Sequence, residues 1–178
     1  MPRMKPERMQ EFLAAPITGV LATLRKNGMP YTVPVWWLWK PDGVWITGTY
    51  SRVWCKQLLA DPRASLCIES NAPLSGHIEF DGHVKAVHPK DTDIWPISRE
   101  LAEKYVGRGD PANAARVDAF FANMRTEPRL LFRLKPEVTR AIDMSVYRGK
   151  RRTGASDRWL STLRSVPGRF ARSGRRPI

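Results

Sequence analysis

Residues Ile17–Thr49 read ITGVLATLRKNGMPYTVPVWWLWKPDGVWITGT, and this stretch decides the fold. Ile17–Leu24 is rich in residues that suit a pleated, half-buried surface. Asn27-Gly28 follows, a dipeptide that accepts the positive φ angles of a tight hairpin turn. Tyr31–Trp39 is the return strand. Pro41-Asp42-Gly43 is a second turn, with proline fixing one φ and glycine accepting another. Val44–Thr49 completes an antiparallel meander.

Working outward, Met9–Leu13 reads as a short amphipathic helix that ends before Pro16. Downstream, Ser51 suits an N-cap and Arg52–Leu59 a short helix, which Asp61-Pro62 terminates. Ala64–Ser70 is another strand. His77–Val87 alternates, with Ile78, Phe80, Val84 and Ala86 on one face and charged or polar residues on the other. Pro96–Val106 and Pro111–Met124 are predicted helices. Leu130–Leu134 and Val138–Met144 are predicted as the last two strands, with Lys135-Pro136-Glu137 turning between them. Many antiparallel strands with few helices predict a mainly β (α+β) barrel over residues 1–150 rather than a doubly wound sheet.

The bulk numbers agree with one domain and an appendage. Of the 178 residues 42% are hydrophobic, and seven are Trp, enough for a bulky core. No apolar run approaches the roughly 18 residues of a membrane span. The first residues carry no apolar signal segment, and the only two cysteines, Cys55 and Cys67, have no metal spacing. A cytoplasmic protein with reduced thiols is the expectation. The net charge is +13, but residues 151–178 alone hold eight Arg against the single acid Asp157. The excess is thus concentrated in a basic segment expected to be flexible, and the body is not read as a nucleic-acid surface.

The sequence has no P-loop, no HExxH, no GxSxG and no dinucleotide-binding glycine signature. His77, His83 and His88 read as solvated strand histidines, and no metal site is expected. The positive signal is Thr47-Gly48-Thr49-Tyr50-Ser51-Arg52-Val53-Trp54-Cys55-Lys56, where a strand turns directly into a helix. Thr47 and Thr49 share one strand face. Arg52 and Lys56 stand at i and i+4, on one side of the helix. Two cations beside a helix N-terminus repel each other and oppose the macrodipole, which a phosphate between them would relieve. An exposed basic helix face is the alternative. In Val33-Pro34-Val35-Trp36-Trp37, Pro34 cannot donate to a ladder and marks an edge or a break. Free backbone groups beside bulky aromatics suit a flat heterocycle, and equally suit an aromatic core strand with an edge proline.

Taken in order, these pieces resemble the pyridoxamine-phosphate-oxidase-like split barrels, most nearly the branch of deazaflavin (coenzyme F420)-dependent reductases. The resemblance runs through Gly19–Leu24, Asn27-Gly28-Met29-Pro30, Pro34-Val35-Trp36 and Thr49–Lys56 into Leu58–Leu66. It continues in Glu79–Val84, Tyr105-Val106-Gly107 and Leu130–Pro136, covering roughly residues 8–145.

The resemblance implies a six-stranded antiparallel split β-barrel with a few flanking helices, forming a homodimer with its cofactor at the subunit interface. It implies that Arg52 and Lys56 hold the cofactor phosphate with Thr49 and Ser51 nearby. Val33, Pro34, Val35 and Trp36, with Thr47 and Gly48, would line the ring system. The implied activity is hydride transfer between coenzyme F420, or FMN as the alternative, and a small organic substrate. A non-catalytic flavin or tetrapyrrole carrier of the same fold is the competing expectation. The further basic residues of true pyridoxamine-phosphate oxidases have no counterpart near the C-terminus here, which argues against vitamin B6 oxidation.

Overall fold

The computed structural model describes residues 2–71 and 73–147; the basic segment 151–178 lies outside the described residues. Helix α1 (Pro6–Ala14) begins with a proline at its first turn, where a missing N–H leaves no bond unmade. Strands β1 (Gly19–Leu24) and β2 (Pro30–Val35) form the expected hairpin, with Gly28 at φ 80° in its turn. Then come β3 (Trp37–Lys40), β4 (Gly43–Thr49), α2 (Val53–Ala60), β5 (Arg63–Ser70) and β6 (Gly76–Val87). Helix α3 (Trp95–Ala102) runs into a π-helical turn at Glu103–Gly107. A 3-10 turn (Pro111–Asn113), α4 (Ala114–Met124) and the long β7 (Arg129–Asp143) follow.

The strands form one antiparallel sheet in the order β2-β1-β5-β6-β7-β4-β3, curled into a split barrel. Among the described residues seven strands stand where the resemblance implied six, and two boundaries differ from the segment reading, with effects on the count that cancel. Trp36 belongs to no strand and breaks the predicted Tyr31–Trp39 into β2 and β3. Conversely, Lys135-Pro136-Glu137 is not a turn: residues 129–143 form a single strand. The ladder absorbs Pro136 by a register shift at Asp81/Gly82, where Pro136 pairs with Gly82. A Cβ on Gly82 would collide with the Lys135 carbonyl, so the strands can approach only because this position is glycine. Ser51 is likewise not the N-cap of α2. Arg52 occupies that position with extended backbone and makes no side-chain cap, because a guanidinium has no acceptor to offer the first-turn N–H groups.

The barrel interior is filled by alternate residues of the strands, among them Leu21, Ile46, Leu66, Ile78, Phe80 and Phe132, all fully buried. Each such side chain contributes roughly 1.5–3 kcal/mol by leaving water. Phe12 of α1 and Trp54 of α2 join this core and close the barrel. On the opposite face of β4 and β7, Trp45 and Leu131 pack with Ile94 beside α3. Ala102, Val117 and Met124 form a third cluster between α3 and α4. No helix among the described residues is long and apolar enough to cross a membrane.

Candidate functional site

The barrel is split where the chain passes from β2 to β3. These strands are the two edges of the sheet, and Trp36 alone joins them. β3 covers β4 only from Gly43 to Ile46, and from Thr47 to Thr49 the sole strand partner of β4 is β7. Over these three residues one edge of β4 carries no strand partner.

A cavity of about 330 Å³ lies in this opening, lined by Pro34, Val35, Trp36, Thr47, Arg52 and Trp54, with Phe120, Met124 and Arg129. Thr47 is one of these lining residues, and its hydroxyl is buried with no hydrogen-bond partner. A buried, unpaired hydroxyl is destabilising unless something else satisfies it. The ring of Trp36 stacks on Tyr105, with centroids 4.8 Å apart and planes within 2°, and leans on Phe120 at 5.4 Å. It is thereby held as a flat wall. No carboxylate among the described residues pairs with Arg52, whereas Arg129 is tied to Glu127 at 2.5 Å and to the Met124 carbonyl at 2.9 Å. An unmet hydroxyl, a fixed aromatic wall and an unpaired guanidinium at the edge fit a flat, polar-rimmed ring bearing an anionic group.

The other expected residues are distributed as follows. Thr49 and Ser51 bond to each other through their hydroxyls at 2.9 Å at the start of α2, beside the cavity and not in its lining. Val33 packs against the barrel core. Gly48 faces α2: a Cβ there would meet Trp54 at 2.6–2.7 Å and also the Cys55 sulfur. Its smallness lets α2 lie on β4, which is how Arg52 reaches the cavity. Burial pushes the Cys55 thiol up to about 12, so this cysteine is a core residue. Lys56 lines a separate depression of about 460 Å³ with Arg25, Lys26, Gln57 and Arg63. In the single chain the two cations thus share a helix side but not a cavity.

Phe120, Met124 and Arg129 were not anticipated. Phe120 and Met124 lie four apart on α4, a signal legible as one helix face. Arg129 offered none, since its role depends on where β7 begins. Beyond Trp36 and Phe120 the opening continues into a second cavity of about 650 Å³ reaching Arg108, Asn113 and Arg116. All three histidines have side-chain partners: His88 contacts the Tyr50 hydroxyl at 2.7 Å, His83 contacts Glu137 at 2.6 Å, and His77 lies 3.8 Å from Glu79.

Solved structures share this architecture. The conserved hypothetical protein Rv2991 from Mycobacterium tuberculosis is 22% identical, over 79% of this chain and 85% of that one, with a TM-score of 0.62. An F420 reductase is 21% identical over 73% of this chain and 94% of its own, with a TM-score of 0.54. HutZ, the heme storage protein from Vibrio cholerae, is 19% identical over 79% and 94%, with a TM-score of 0.58. No curated protein matches the chain. The family model for pyridoxamine 5'-phosphate oxidase matches residues 6–143, the whole of the barrel from α1 to the end of β7. The chain belongs to the pyridoxamine 5'-phosphate oxidase family.

Proposed function

We propose that this protein is an oxidoreductase that holds a deazaflavin, coenzyme F420, or alternatively FMN, in the split of its barrel. The observation that carries the reading is the buried, unpartnered hydroxyl of Thr47, a residue of the cavity lining, beside the flat wall of Trp36. Such a cofactor supplies hydride transfer when bound. The work of the chain is then binding, orientation and exclusion of water. Thr47 would donate to or accept from the ring's polar rim. Pro34 and Val35, on the edge strand, and Trp36 would fix the ring plane. Arg52, unopposed by any described carboxylate, would hold the anionic arm at the start of α2, whose first turn has no side-chain cap. Lys56, one turn on, would meet a more distal part of that arm.

A homodimer in the cytoplasm is part of the same proposal. The homodimer is supported by a depression of about 330 Å³ in which Ala22, Leu24, Pro30 and Val138 are rimmed by Arg63, Asp81, His83 and Glu137, an apolar patch with a polar border. Light scattering should return a mass near twice that of the 20.3 kDa chain.

Titration of F420 and of FMN, followed by absorbance, tests the site. Arg52→Ala should weaken binding by about 1.5–3 kcal/mol, roughly ten- to a hundredfold, and Lys56→Ala by less. Failure of both cofactors to bind below about 100 μM, or unchanged binding in the variants, overturns the reading. The second reading is a carrier without turnover, as the name of the heme storage relative suggests for that protein. Reducing the bound cofactor and following its reoxidation by an added organic acceptor separates the two.

A further inference from the structure

A different part of the molecule holds cations that no described residue balances. The π-helical turn at Glu103–Gly107 lets the Arg108 N–H donate to the Glu103 carbonyl at 3.0 Å. Arg108 itself is held left-handed, at φ 52°, a conformation that a side chain rarely adopts. The turn directs Lys104 inward. Its Nζ donates to the Leu13 carbonyl at the end of α1, at 2.9 Å, and rests 3.6 Å from the centroid of the Trp37 ring. Arg108 uses only Nε internally, toward the Tyr105 carbonyl at 3.3 Å.

Lys104 and Arg108 line a depression of about 480 Å³ between α1, β3 and this turn. Gln10, Leu13, Pro16 and Trp39 complete most of the wall, and no lining residue is a carboxylate. The acids on neighbouring elements are engaged elsewhere: Glu11 with Arg8, Glu100 with Lys40, and Glu103 with Arg99. Glu7 of α1 lies outside the lining. The other titratable neighbour, Tyr105, keeps its proton, because burial raises its pKa and its hydroxyl donates to the Ile17 carbonyl at 2.9 Å. Neither the indole N–H of Trp39 nor the Gln10 amide bonds to another described residue.

One side of the depression is thus apolar and partly aromatic, and the other presents two cations and an amide. We propose that this depression is a binding site for a small organic carboxylate. Its carboxylate lies between Lys104 and Arg108, and its flat apolar body lies against Trp39, Leu13 and Pro16. The guanidinium fork matches a carboxylate, and the ammonium adds a point charge. Burial without a compensating anion brings the Lys104 amine down to about 8, and a bound carboxylate would reverse that shift. The site shares Arg108 with the second cavity but none of the residues that line the cofactor cleft itself.

The probe is 2-naphthoate, titrated into the full chain at pH 8 and followed by calorimetry and tryptophan fluorescence. Saturable binding below about 1 mM is expected. Lys104→Met should raise Kd at least about tenfold and Arg108→Gln several-fold, while Arg52→Ala leaves it unchanged. In buffers of different ionisation heat, the wild type should take up a fraction of a proton on binding and Lys104→Met none. Arg108→Gln removes no core contact, so it keeps the test alive if Lys104→Met fails to fold. No saturation by about 10 mM, or an unchanged Kd in the folded variants, overturns the proposal. Binding of inorganic phosphate as tight as that of naphthoate overturns the assignment to an organic anion.

Discussion

β6 keeps its ladder with β7 along its whole length, from Gly76 opposite Asp143 to Val87 opposite Leu131, whereas β4 loses one of its two partners after Ile46. The first region is sealed, with Ile78 and Phe80 fully buried in the interior. The second exchanges a ladder for an opening, an orphaned hydroxyl and an exposed guanidinium. Trp36 and Trp37 show the contrast in adjacent residues. Trp37 is fully buried, its indole N–H donates to the Ile17 carbonyl at 2.7 Å, and its backbone N–H donates to the Tyr105 hydroxyl at 3.2 Å. Trp36 carries no ladder and lines two cavities. A core position and a cavity wall therefore stand on different sides of one peptide bond.

Breaking the sealed side should have the largest effect. Trp37→Ala is expected to destabilise by about 3–5 kcal/mol in urea unfolding, and Trp36→Ala by about 1–2 kcal/mol. Equal losses would show that the split is as structural as the core. Next comes the cation that rests on Trp37. The folded-state pKa of Lys104 lies at about 8, below its ordinary 10.5. The unfolded chain therefore binds more protons between these values, and stability should rise with pH across that window. Relative to Lys104→Met, the wild type should gain about 3 kcal/mol from below pH 8 to above pH 10.5. Parallel curves for the two proteins would contradict the burial of the amine.

Gly48→Ala probes where the two sides meet. The added methyl would overlap Trp54 and Cys55, at an expected loss of about 1–3 kcal/mol, and the displaced α2 should carry Arg52 away from the cavity. A variant that loses stability but keeps full cofactor affinity would uncouple the seat of α2 from the site. The smallest effect sharpens the contrast most. Thr47→Val removes an unpaired buried hydroxyl and should stabilise the cofactor-free protein by about 1 kcal/mol while weakening cofactor binding by about 0.5–1.5 kcal/mol. The two signs must be opposite.

The sequence disclosed the sealed region well because alternation and turn chemistry are local. The hairpin at Asn27-Gly28 and the alternating face of β6 were both legible in this way. Pro136 misled because proline usually ends a strand; here a glycine on the neighbouring strand, remote in sequence, accommodates it. The end of β2 at Trp36 was only half visible, since Pro34 signals an edge but not which strand lies across the gap. Arg52, Thr47 and the Pro34–Trp36 segment were legible as polar and aromatic residues beside a strand end. Phe120, Arg129 and the Lys104–Arg108 pair were not, because they meet their neighbours only after α3, the π-helical turn and α4 have folded back across the sheet.

The 15-residue strand β7 pairs with β6 on one side and β4 on the other, and it follows both in the chain. During synthesis, β3 and β4 can close only their own hairpin, with the aromatic side of Val44–Thr49 uncovered, until residues 129–143 have emerged. Such distant pairing is slow to find and leaves sheet edges open while it is sought. A nascent chain of this protein is therefore most exposed to self-association, and most in need of protection, just before residues 129–143 arrive.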